Sequence, residues 1–298
     1  MKIGMYNHII HFIISVSIFS LLLTGCASNK NSPDSSKPPQ IPPESSFVMD
    51  FSNFTNQQGA LFHDGQTAKL VSFSFSDSTN QSGASNALGD RSNWGFAALN
   101  VGFWNIVGVL GLAVPVASFV ESFRHTPVQQ PDTSWIWTYD VPVAGVTYTA
   151  ALHGKYVNKG VRWEMYITKQ GEFSDFLWYY GESDLSATEG FWVLKNTPMI
   201  PTELIRIDWH RNPSNNTGDI KYTNIVPGGS ENGGFISFAK TISNSFDCAY
   251  EIYNKGKNET TNIEWNSVTG EGRVKDTLHF GDTNWHCWNS QLINSECQ

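Results

Sequence analysis

The sequence predicts a mainly β fold: an antiparallel meander of about ten to twelve strands that forms a barrel or a two-layer sheet, with one short apolar helical insert at about 93–124. Three observations carry this. From Trp135 onward, apolar and polar residues alternate, as in Val161, Trp163, Met165 and Ile167 against Arg162, Glu164, Tyr166 and Thr168. Successive strand side chains point to opposite faces, so such a run has one buried and one wet face. Turn clusters such as Asn158-Lys159-Gly160, Lys169-Gln170-Gly171 and Pro227-Gly228-Gly229 then recur about every 10–15 residues with no helix between them. Finally, residues 93–120 hold no charge, and as a helix they are apolar nearly all round.

The N-terminus comes first in the chain. Lys2 is the only charge before Cys26, and an apolar run follows from Ile9 to Leu23. A positive start, a short apolar run and small residues form a secretory signal, too short for an ordinary membrane span. Its last residues, Leu23-Thr24-Gly25-Cys26, resemble the lipobox of bacterial lipoproteins. That resemblance implies removal of residues 1–25, a diacylglyceryl thioether with palmitate-like chains on Cys26, and the lipid bilayer as a partner. Two or three acyl chains make a stable anchor where one does not. The implied place is the bacterial cell envelope. In a diderm it is the outer membrane, since Ala27 and Ser28 rather than Asp follow the Cys.

Residues 26–46 read as the lipidated Cys and a Pro/Ser-rich tether, with Pro33, Pro38, Pro39, Pro42 and Pro43 favouring an extended spacer. Residues 47–298 read as a single β-rich domain. Its first strands are expected at Phe47–Phe54 and Lys69–Phe75. The uncharged 93–120 stretch is expected as two helices broken near Gly111–Pro115 and packed on the sheet. A lipid-facing lid and a membrane span are its alternatives. A thin polar stripe of Asn93, Asn100, Gly111 and Ser118 runs along it.

Composition limits the function. The chain has 19 Lys and Arg against 27 Asp and Glu, a net charge of −8 and no basic run, which argues against nucleic-acid binding. No nucleophile elbow, zinc-binding helix motif or phosphate loop occurs, so no catalytic residue, metal or cofactor is assigned and the chain is not expected to be an enzyme. Three further sets of residues offer chemistry: His279, Asp282 and His286 as metal donors, Asp208 beside His210 as an oriented base, and Glu164 with Glu182 as a carboxylate pair. Three Cys remain beyond Cys26. A Cys287–Cys297 disulfide is expected, with Cys248–Cys287 as the alternative, so one thiol stays free.

The rings are the remaining signal: 11 Trp, 10 Tyr and 19 Phe. They either fill a core or form a binding surface. Trp135, Trp137, Trp163 and Trp178 on the strands and Trp104 in the apolar stretch are the candidate ligand-binding residues. The expected role is a membrane-anchored, non-enzymatic binding or scaffold protein holding an apolar or lipid guest. A glycan-binding surface is the alternative, and an envelope hydrolase comes third. The architecture resembles lipocalins and periplasmic lipoprotein carriers, with no shared residue motif.

Overall fold

A computed structural model describes residues 34–55, 90–243 and 245–297. The signal segment, Cys26 and the strand expected at Lys69–Phe75 lie outside these residues. The described chain builds 14 strands: β1 Val128–Gln129, β2 Trp135–Val143, β3 Val146–Val157, β4 Gly160–Lys169, β5 Phe173–Asp184, β6 Glu189–Thr197, β7 Ile200–Asn212, β8 Thr217–Asn224, β9 Phe235–Lys240, β10 Cys248–Asn254, β11 Glu259–Trp265, β12 Gly272–Lys275, β13 His286–Trp288 and β14 Asn294–Ser295. Each pairs antiparallel with the next, in chain order. The mainly β meander is therefore as expected. The closure is not: this is one open sheet, neither a barrel nor two layers. The additional strands are two- and three-residue pieces at its ends, too short to show alternation. Short edge strands also offer little backbone for another chain to pair with.

The sheet curls around a helix. Helices α1 (Ser52–Thr55), α2 (Ser92–Ser122) and α3 (Thr277–Phe280) complete the fold. At its start α2 is tied to the last strands: Asn93 Nδ2 donates to the Cys287 carbonyl at 2.9 Å, and the Asn294 amide donates to the Asp90 carbonyl at 2.7 Å. At its end it meets the first strands, where the Tyr139 hydroxyl donates to the Ser118 carbonyl at 2.6 Å. One helix thus touches both ends of the sheet and spans the gap between them. One correction follows. The insert is a single 31-residue helix that passes through Pro115 without breaking. Packing against the sheet offsets the local cost of the proline. Asn93 and Ser118 of the thin polar stripe are buried, and Asn93 serves the backbone of the sheet rather than water. No helix among the described residues is long and apolar enough to cross a membrane.

The inner face carries the rings, and glycines make room for them. Gly154 lies opposite Trp163, Gly181 opposite Trp192, Gly190 opposite Trp209 and Gly272 opposite Trp288. At each of these glycines a Cβ would lie 2.3–2.9 Å from the facing indole. Covering a strand glycine with a cross-strand ring fills the space its missing side chain leaves, and glycine lets the strand bend.

The segment expected as a strand at Phe47–Phe54 is not part of the sheet. It runs across the strands on the inner face and ends in α1. Side chains of the sheet satisfy its backbone in place of a neighbouring strand. The Tyr222 hydroxyl donates to the Phe47 carbonyl at 2.8 Å and accepts from the Met49 amide at 2.7 Å. The Tyr250 hydroxyl donates to the Asp50 carbonyl. The packed chain also begins before Phe47: Pro39, Pro42 and Ser46 are buried, so the second half of the expected tether lies on the domain.

Candidate functional site

The space beneath the helix, where an apolar guest was expected, is occupied by the protein's own rings. Phe47 stacks on Phe119 of α2 at 4.7 Å between centroids and packs against Tyr179 and Trp192 at 4.8 and 5.7 Å. Among the described residues, the two most prominent concavities open at the surface.

The larger, about 460 Å³, lies between the Pro-rich segment and the end of α2. Pro38, Pro39, Ile41 and Pro43 form one wall; Phe123, Pro127 and Trp137 form the other. The segment is held there by the Gln129 amide donating to the Ser35 carbonyl at 2.8 Å, and by the Tyr156 hydroxyl near the Lys37 carbonyl at 3.4 Å. Phe123 is 44% exposed and sits just past the last turn of α2, so its ring is offered to the groove. His125 supplies a polar margin, stacked on Tyr139 at 4.7 Å and 3.2 Å from the Glu121 carboxylate. The groove can seat an apolar body with one polar end.

The smaller concavity, about 340 Å³, is polar. Arg273 crosses it, bound to Glu264 at 2.6 and 2.7 Å and flanked by the rings of Phe246 and Trp285. Cys248 lines its wall, and burial pushes that thiol up to about 11, so it is a poor nucleophile at neutral pH.

Of the candidate ligand-binding tryptophans, Trp137 and Trp163 pack on each other at 5.8 Å between centroids, inside the core; the five do not form one site. Trp137, Trp163 and Trp178 are buried in the core, and Trp135 and Trp104 are half-buried against it. The Trp163 indole donates to Ser183 Oγ and that of Trp178 to the Asn196 carbonyl, both at 3.0 Å. Only Trp137 reaches the groove. Nor do the outward rings make a bare stacking platform. Arg162 covers Tyr180, Arg206 covers Phe191 and Lys221 covers Phe235, at 4.5, 4.2 and 3.6 Å.

The weaker candidates are likewise taken up by structure. His279 stacks on Phe96 of α2 at 3.7 Å, and burial lowers its pKa. His286 stacks on Phe280 at 3.7 Å and meets Asp282 at 3.2 Å. No group of three or more His, Cys, Asp or Glu able to hold a metal occurs among the described residues. Asp208 pairs with Arg206 at 2.6 Å, while His210 faces Asp219 at 3.4 Å. Glu164 and Glu182 both contact Arg162, at 3.4 and 3.6 Å. Cys287 is bonded to Cys297 and Cys248 is free.

The sequence reading missed Ile41, Phe123 and Pro127 as groove residues. The available signal was the apolar Ile41 inside an otherwise polar, Pro-rich run, which a bare spacer does not need. No protein family, curated relative or solved structure matches this chain.

Proposed function

We propose that the chain is a membrane-anchored lipoprotein of the bacterial cell envelope, held by an acylated Cys26, with a non-enzymatic binding role whose guest is an apolar small molecule. The observation that carries this reading is the groove between Pro38–Pro43 and Phe123. It is lined mainly by apolar residues, with Gln40, Ser122 and His125 among them, and stands beside the segment that leads back to Cys26. It is a shallow depression open to solvent, so a guest there would stay partly exposed. A guest there would pass directly between the bilayer and the protein.

The test is a titration of the soluble Cys26→Ala chain with N-phenyl-1-naphthylamine, which fluoresces in apolar surroundings. A saturable rise is expected, lost in Phe123→Asp, with a thermal melt checking that the variant is folded, because the Phe123 ring also packs on Phe119. The absence of saturation, or a rise unchanged in Phe123→Asp, contradicts the reading.

A further inference from the structure

In a meander where every strand pairs with the next, alternate turns lie at opposite ends of the sheet. The turns after β3, β5, β7, β9 and β11 share one rim with the start of β2. Four of these five carry an exposed aliphatic side chain: Val157 (40% exposed), Leu185 (41%), Ile242 (74%) and Val268 (90%). Val128 of β1, 65% exposed, extends the set. Single exposed aliphatics are ordinary on a protein surface. Their recurrence at four of the five turns of one rim is a pattern.

The same rim receives the N-terminal segment. Ser35 is bonded to Gln129 of β1, and Lys37 to Tyr156, next to Val157. The nine residues from Cys26 to Ser35 span at most about 30 Å fully extended. Strands β2 to β7 hold 9 to 13 residues each. At about 3.3 Å per residue they are about 30 Å or more long, so the opposite rim lies a full strand length from the point where the N-terminal segment joins the sheet.

Both rims carry charged groups. On the near rim, Asp184 turns inward to accept the Thr188 and Glu189 amides at 2.6 and 3.0 Å, and Asp247 accepts the Ser267 amide at 2.7 Å. Lys37, Lys159, Glu189 and Glu271 stand exposed on this rim, as do the Lys155–Asp132 and His210–Asp219 pairs. The opposite rim has its own exposed Met199, Ile200 and Leu278, but its other turns carry Lys169, Glu172, Glu231, Lys255 and Lys257.

We infer that the near rim is a membrane-seating surface: in the anchored protein Val128, Val157, Leu185, Ile242 and Val268 enter the interfacial layer of the bilayer. Acyl chains alone would leave the domain free to swing on its tether. Aliphatic tips would fix its orientation and bring the groove against the lipid. The acidic chain gains nothing from an anionic surface, so the contact is apolar. This inference rests on the anchored reading above.

The test uses the acylated full-length protein in phosphatidylcholine vesicles. An environment-sensitive NBD label is placed at Ile242→Cys, Val268→Cys or, on the far rim, Lys257→Cys. On reconstitution the two near-rim labels should shift to the blue and be quenched by a doxyl lipid several-fold more than the far-rim label. Unlabelled protein provides a second readout: hydrogen exchange at 266–271 should slow on reconstitution, while exchange at 254–259 should not. Flotation with the vesicles but equal, water-like labels on both rims overturns the seating inference alone. Failure to float with the vesicles overturns the anchor and the seating together.

Discussion

The Tyr222 hydroxyl shows what one polar atom does in this core. It sits under the crossing segment and holds both the Phe47 carbonyl and the Met49 amide. Burial pushes its phenol far up, so it remains a donor at any ordinary pH. Tyr179 is its counterexample: equally enclosed, beside Phe47 and Phe119, its hydroxyl has no hydrogen-bond partner. An unpaired buried polar group costs about 1–3 kcal/mol. Tyr222→Phe should therefore destabilise the protein by about 1–3 kcal/mol for each backbone group left unpaired. Tyr179→Phe should be neutral or stabilising by about 1 kcal/mol. Urea unfolding followed by tryptophan fluorescence measures both, and equal losses in the two variants would contradict this account of the segment. At this scale the sequence was legible only in part. That the rings are numerous is plain from composition. That Trp163 and Trp192 fill a core while Phe123 faces a groove depends on which chain crosses the sheet, and strand alternation does not encode that.

Among the elements, the strands were the most legible, because one wet and one dry face imposes a period of two wherever the sheet is long enough. The same rule misread Phe47–Phe54. Its Phe47, Met49 and Phe51 alternate like a strand, but tyrosine hydroxyls rather than a neighbouring backbone bind it. The helix was legible as an uncharged stretch, and its observed span, Ser92–Ser122, lies close to the expected one. The expected break at Pro115 failed because packing on both ends of the sheet outweighs a local preference. The glycine–tryptophan pairs were not read at all, since their partners are separated by hairpins. They give a sharp prediction. At Gly181 a Cβ would lie 2.1 Å from the Phe191 carbonyl oxygen and 2.6 Å from the Trp192 ring. Gly181→Ala should cost about 1–3 kcal/mol or more through overpacking. At Gly95 in α2 nothing lies within 4 Å of a Cβ, so Gly95→Ala should add up to about 1 kcal/mol of helix stability. Thermal melts of the two variants should move in opposite directions.

For the molecule as a whole, the open sheet, the helix across its gap and the crossing segment together leave little room for a guest inside and put the larger of the two concavities at one rim. Low charge and abundant rings at first suggest a membrane protein. The described residues divide that character in two: rings packed inside the sheet, and exposed aliphatics, five of them on the rim that the N-terminal segment joins and Leu99, Met199, Ile200 and Leu278 elsewhere. The groove, the seating rim and the tether have a common purpose only if Cys26 is acylated. The most direct measurement is therefore mass spectrometry of the N-terminal peptide of the protein purified from the membrane fraction of its bacterial host. The account predicts a mature chain that begins at Cys26 and carries a diacylglyceryl thioether. A chain that still begins at Met1, or one whose Cys26 is unmodified, would contradict it.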